Sequence, residues 1–142
     1  MNKFKQLYLK YKELINYLIF GVLTTIVSLL TKWGLLFTIL NSSNGFELQI
    51  AVVLSWIIAV LFAYLTNRKF VFESNNNNKL KEFTNFIIAR LATLLLDMFI
   101  MWFFVTLLKL NSNLYVIIFT LVSQILVIIG NYLFSKLFVF KK

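Results

Sequence analysis

The chain contains no cysteine, no histidine and no proline, and only four glycines in 142 residues. Without cysteine there are no disulfides and no thiolate metal sites. Without histidine the commonest general base and metal ligand is missing. Without proline, long helices can run unbroken. Carboxylates are scarce: Glu13, Glu47, Glu73, Glu82 and Asp97 are the whole set. All but Asp97 lie at the edges of apolar runs or between them. No two have the spacing of an acid–base couple or a two-metal site. There is also no phosphate-cradling glycine-rich loop, no Ser–His pairing and no nucleic-acid-reading module. The expectation is a protein that is not an enzyme, takes no cofactor and binds no nucleic acid.

What the chain does have is apolar surface. Hydrophobic residues make up 61% and aromatics 18%, with 16 phenylalanines. A soluble domain of this length could not bury so much, because small domains leave a large share of their surface in water. Four apolar runs, Leu14–Leu40, Leu48–Leu65, Phe83–Leu108 and Leu114–Leu133, approach or exceed the roughly 20 residues that cross a bilayer as helix. The net charge of +9 is carried at the ends of these runs, which suits anionic lipid headgroups better than nucleic acid. Ahead of the first run, Lys3, Lys5, Lys10 and Lys12 interleave with Phe4, Leu7, Tyr8 and Tyr11, the pattern of a short amphipathic segment on the membrane surface.

The ends of the second and fourth runs repeat. Ala63-Tyr-Leu-Thr-Asn-Arg-Lys-Phe-Val-Phe72 and Asn131-Tyr-Leu-Phe-Ser-Lys-Leu-Phe-Val-Phe140 share Tyr-Leu and Phe-Val-Phe at a shift of 68 residues. Lysine and arginine collect at the N-terminus, around the middle linker (Arg68, Lys69, Lys79, Lys81) and at the C-terminus (Lys136, Lys141, Lys142). The other two loops hold only Lys109. By the positive-inside rule both termini and the linker face the cytoplasm. The expected fold is an all-α integral membrane protein of four transmembrane helices, arranged as two hairpins in a parallel repeat. Repeat 1 covers residues 14–72, the asparagine-rich linker 73–82 and repeat 2 residues 83–140, all in one transmembrane domain.

Three charges fall inside the apolar runs: Lys32, Arg90 and Asp97. Intramembrane charge is costly and marks functional positions by default. Aligning helix three on helix one at a shift of 69 sets Asp97 on Ser28 and Arg90 on Gly21. Lys32 then lies about one turn from the level of Asp97, so the two can pair, either as a structural clamp or as part of a path. Arg90 sits about two turns inside the cytoplasmic boundary, and its planar guanidinium is suited to gripping a phosphate through two parallel hydrogen bonds. The alternative is snorkelling to the headgroups along Phe86 and Asn85. Asn67, Arg68 and Lys69 at the end of helix two, with Asn131, Ser135 and Lys136 at the end of helix four, form two further polar ends. Cations there also favour the helix C-terminus. Ser55, Ser123 and Gln124 read as interhelical hydrogen-bond partners, and Phe70, Phe72, Phe138 and Phe140 as an interfacial aromatic belt.

Two hairpins, each ending in Asn/Ser-Arg/Lys-x-Phe-Val-Phe, resemble the GtrA-like family of small bacterial membrane proteins. The resemblance runs from about Asn16 to Phe140. It rests on Phe20-Gly21 with Thr24-Thr25, Ala63-x-x-x-Asn67-Arg68-x-Phe70-x-Phe72, Phe86-x-x-x-Arg90, Asp97 and the second terminal motif. The chain departs from the family pattern at Ser28, where Asp is common, and at Ser135, where the second Asn is expected. The resemblance implies a multi-pass protein of the bacterial cytoplasmic membrane that moves a polyprenyl-phosphate-linked sugar outward, for glycosylation of a surface polysaccharide such as teichoic acid. On that basis Arg90, with Phe86 beside it, holds the phosphate, and Arg68 and Lys136 draw it in. Asn67 and Asn131 bond sugar or phosphate oxygens, and Asp97, Lys32, Gln124, Ser28 and Thr24 line the sugar path. Anionic membrane lipids are expected partners, and four helices are few to enclose a path, so a homo-oligomer is expected. The alternative is a non-transporting scaffold for a membrane glycosyltransferase. A small-cation exporter built on Asp97 ranks below both, because the surrounding positive charge repels its substrate.

The missing cysteines make the topology directly testable. Single cysteines placed at Ser43 and Asn111 are expected to react with a membrane-impermeant maleimide in intact cells, and one at Asn76 only after permeabilisation. The reverse pattern overturns the orientation.

Overall fold

The computed structural model describes residues 1–141; Lys142, counted above among the basic residues, lies outside them. The described residues are helical almost throughout and contain no strand. Four long helices, α1 (Lys3–Thr38), α2 (Gly45–Thr66), α3 (Lys79–Met101) and α4 (Asn113–Phe134), each carry a stretch long and apolar enough to cross a membrane. Large apolar side chains cover their outward faces, as a hydrocarbon solvent requires. The protein is a multi-pass membrane protein.

Each helix starts on a side-chain cap. Asn2, Asn44, Asn78 and Ser112 accept from the backbone N–H groups of Phe4, Phe46, Lys81 and Tyr115. The Asn78 cap begins α3 at Lys79, four residues before the apolar run, so polar residues form its first turn. The amphipathic N-terminal segment is continuous with α1 and bends at Tyr11 (φ −112°, ψ 20°). At about 1.5 Å per residue this helix is far longer than the roughly 30 Å of hydrocarbon, so its basic beginning extends beyond the apolar layer.

Both repeated motifs fold alike. The α-helix widens into a π-helical turn over Asn67–Val71 and again over Ser135–Val139. A third such turn, Trp102–Leu107, ends α3 without the motif. After the first, Glu73 takes a left-handed conformation (φ 47°) that turns the chain out of the helix, while the Ser74 N–H donates to the Arg68 carbonyl at 2.8 Å.

The chain divides into two compact units, Met1–Ser74 and the remainder from Asn75. In the first, α1 packs on a stripe of small buried residues along α2: Ala51, Ser55, Ala59 and Ala63. Lys12 pairs with Glu73 at 3.0 Å, the Asn16 amide donates to the Phe70 carbonyl at 3.4 Å, and the Phe20 ring stacks on Phe70 at 5.1 Å. In the second, α3 and α4 are packed tightly at Gly130, where a Cβ would lie 3.2 Å from the Thr93 methyl carbon. The Phe86 ring tilts against Phe140 at 6.1 Å, as Tyr17 does against Phe72 at 6.5 Å in the first unit. Phe72 and Phe140 are therefore core residues, not members of an interfacial belt; only Phe70 and Phe138 of the four face outward. The π turn supplies the reason, because it rotates the last residue of each motif back onto the hairpin.

Gly130→Leu is expected to cost on the order of 1–3 kcal/mol by overpacking this crossing. Gly21→Leu, at an exposed position where an added Cβ meets nothing within 4 Å, should change stability by less than about 0.5 kcal/mol. Reversible SDS unfolding of the purified protein measures both.

Candidate functional site

The second unit gathers its polar chemistry on one face of α3. Phe86, Arg90, Thr93 and Asp97 follow at spacings of four, three and four, which keeps them on a single stripe. Phe86 is fully buried. The Arg90 guanidinium carbon lies 4.8 Å above the centre of its ring. The arginine thus leans one turn towards the start of α3, as side chains on a helix do, with its charge held on an aromatic face. The cation–π contact follows the line along Phe86 that the snorkelling alternative named.

One turn deeper, Thr93 and Asn131 are both buried, and the threonine hydroxyl lies 2.6 Å from Asn131 Oδ1 and 3.0 Å from the Arg90 carbonyl. A hydroxyl has one proton, so it serves these acceptors alternately. Deeper again, the buried Ser123 hydroxyl donates to the half-buried Asp97 carboxylate. These rungs make a polar ladder between α3 and α4. From Phe86 to Asp97 it climbs about 16 Å at 1.5 Å per residue.

At the π-turn end Lys136 sits over the Tyr132 ring at 5.7 Å. In the first unit, Asn67 is buried at the start of its π turn and the Arg68 guanidinium lies 3.5 Å from the Ser74 hydroxyl. Lys32 is half-buried on α1. The Asn16–Phe70 bond fixes the level of the π turn on α1, which puts Lys32 about 24 Å further along the helix. Lys32 is therefore not gathered with Asn67 and Arg68.

The sequence reading missed Thr93 and the burial of Glu82. Thr93 was findable, because the 69-residue shift sets it on Thr24. Thr24, by contrast, spends its hydroxyl on the Phe20 carbonyl of its own helix. Glu82 stands at the head of the same stripe as Arg90 and is buried, although its place at the edge of an apolar run pointed to exposure. Gln124 is exposed, about 100° around α4 from Ser123. Among the described residues no group of three acidic, histidine or cysteine side chains could hold a metal ion.

The two units share one framework and differ in what they carry. Ser55 and Ser123 correspond, and both are buried. Where the second unit has Arg90, Asp97 and Asn131, the first has Gly21, Ser28 and Ala63.

Comparison with known proteins is consistent with this layout. Residues 16–140 match the family described as GtrA/DPMS, transmembrane domain. The chain is similar to the "Cell wall teichoic acid glycosylation protein GtcA" of Listeria monocytogenes serovar 1/2a, at 35% identity over 132 residues, covering 91% of this chain and 85% of that protein. The protein of the same name from Listeria innocua serovar 6a gives the same identity and coverage. The "Uncharacterized membrane protein YwcD" of Bacillus subtilis is 36% identical over 129 residues, covering 89% and 94% of the two chains. No solved structure matches. With the family spanning all four helices and both terminal motifs, this chain belongs to the GtrA/DPMS transmembrane-domain family.

Proposed function

We propose that the protein translocates a polyprenyl-phosphate-linked sugar across the cytoplasmic membrane, for glycosylation of a cell-surface polymer of the teichoic acid kind. The observation that carries this is Arg90: a half-buried guanidinium inside a membrane span, laid on a buried aromatic ring at the foot of a polar ladder. The names of the Listeria relatives support the polymer class.

In the proposed cycle both termini are cytoplasmic. Arg68 at the end of one half and Lys136 at the end of the other raise the local concentration of anionic headgroups. Arg90 takes the phosphodiester through two parallel hydrogen bonds, and Phe86 keeps the fork from folding away. Asn131 has its oxygen engaged by Thr93, which leaves its amide nitrogen to bond sugar or phosphate oxygens, and Asn67 has the same role in the first half. Asp97 and Ser123 offer the sugar exchangeable hydrogen bonds while the isoprenoid tail stays in lipid. More than one copy of the chain encloses the path. No bond is made or broken, and use of the product outside gives direction.

Reconstitution tests this. Purified protein in liposomes is expected to flip a fluorescent polyprenyl-phosphate sugar with no partner present, which also removes the scaffold alternative. Arg90→Ala should lower the rate by about 10- to 100-fold, the loss of a charge-assisted pair of about 1.5–3 kcal/mol. Arg90→Lys should fall between, since an ammonium lacks the fork. Wild-type rates in Arg90→Ala at normal protein levels overturn the mechanism. Asp97→Asn keeps an acceptor for Ser123, so it should unfold like wild type in SDS yet flip more slowly; Asp97→Leu should lose stability as well, by about 1 kcal/mol.

A further inference from the structure

The two halves differ at one packing site beside the π turn. In the first half the Phe20 ring lies flat on Phe70, 5.1 Å between centres and 11° from parallel. The 69-residue correspondence puts Ala89 at the position of Phe20 and Ala92 at that of Leu23. The 68-residue correspondence puts Phe138 at Phe70 and Phe134 at Thr66. The second half thus has alanines where the first has the stacked ring and a leucine, and a phenylalanine, Phe134, where the first has Thr66.

The result is a groove of about 370 Å³ lined by Asn85, Ile88, Ala89, Ala92, Phe134 and Phe138. Its volume falls at the lower end of ligand sites, which run from about 300 to 1,000 Å³. Phe138 is 65% exposed where Phe70, covered by Phe20, is 46% exposed. The single polar liner differs too. Asn16 donates to the Phe70 carbonyl, whereas Asn85, its counterpart, makes no side-chain hydrogen bond among the described residues.

We propose that this groove holds the phosphate-proximal isoprenoid segment of a polyprenyl phosphate, in the place that Phe20 fills in the first half. The occupant lies in a membrane span, so it is a lipid chain and not water. A flat, unsaturated, methyl-branched unit replaces a missing ring against Phe138, and its branches fill the notches at Ala89 and Ala92. A straight acyl chain would leave those notches empty and forfeit the contacts that make close packing favourable. A sugar would need several polar partners, and the groove offers one. Asn85, the one polar liner, marks the headgroup end of the groove. The proposal rests on the lipid-linked-substrate reading above and assigns its tail.

A diazirine-bearing polyprenyl phosphate, photolysed with the purified full chain in liposomes, tests it. Labelling is expected in peptides holding Asn85–Ala92 and Phe134–Phe138, with competition by unlabelled polyprenyl phosphate but not by a straight-chain alkyl phosphate. Ala89→Phe restores the first half's plug and should cut labelling by about ten-fold, a loss of one contact of ordinary ligand strength, with SDS unfolding unchanged. If that variant unfolds, Ala92→Leu makes the same comparison with a smaller plug. Equal labelling of wild type and plugged variant overturns the proposal, as does equal competition by the straight chain. So does dissociation of an oligomer by Ala89→Phe with labelling intact, which would make the groove a contact between copies. Groove labelling without lipid flipping leaves the groove standing and removes the transport mechanism. Flipping at wild-type rate in the plugged variant does the opposite.

Discussion

Inside hydrocarbon no water is present to take up a stray hydrogen bond, so each backbone polar group in a span must find its partner within the chain, and buried side chains do the same. That requirement orders this structure. It makes the spans helical, and it sends the hydroxyls of Thr24, Thr31 and Thr66 back to their own helix carbonyls. Where a hydroxyl instead crosses to the neighbouring helix, as at Thr93–Asn131 and Ser123–Asp97, it marks the face on which the two helices are committed to each other. Such bonds average only about 0.6 kcal/mol in membranes, so close packing carries most of the association. The small residues along α2 and Gly130 on α4 provide it.

The architecture was legible because two independent signals coincide: apolar runs of spanning length and a doubled motif at their ends. Asn67-Arg68 with Phe70-Val71-Phe72 and Ser135-Lys136 with Phe138-Val139-Phe140 fold as the same turn, which identical spacing already suggested. That the turn is π-helical was not legible. Its extra residue per turn leaves no mark in composition, and so Phe72 and Phe140 read as belt residues when they are core. The beginning of α3 escaped for a different reason, since the Asn78 cap recruits polar residues that a hydropathy pattern excludes.

Of the candidate site, the stripe from Phe86 to Asp97 could be read from spacing alone. Ser123 was legible as an interhelical partner and Asn131 as a site residue. Which α3 side chains they meet was not, because the pairings Ser123–Asp97 and Asn131–Thr93 are set by how α3 and α4 pack and not by any local pattern. Glu82 shows the same limit. A carboxylate at the boundary of an apolar run is normally solvated, and only the fold reveals that this one is enclosed. The correspondence between halves recovers much of what local reading lacks. It shows a common scaffold on which one half bears arginine, aspartate and asparagine where the other bears glycine, serine and alanine.

The π turn also makes the length of each motif a structural quantity. Removing one residue between Asn67 and Phe72 would let the turn relax to the narrower α-helical form and rotate everything after it by about 100°. Val71 and Phe72, now packed inward, would swing towards lipid, and Glu73 would leave Lys12. The motif is thus held as firmly by its residue count as by its side chains, and drift that freely exchanges one apolar residue for another elsewhere in these helices has no equivalent freedom to insert or delete here.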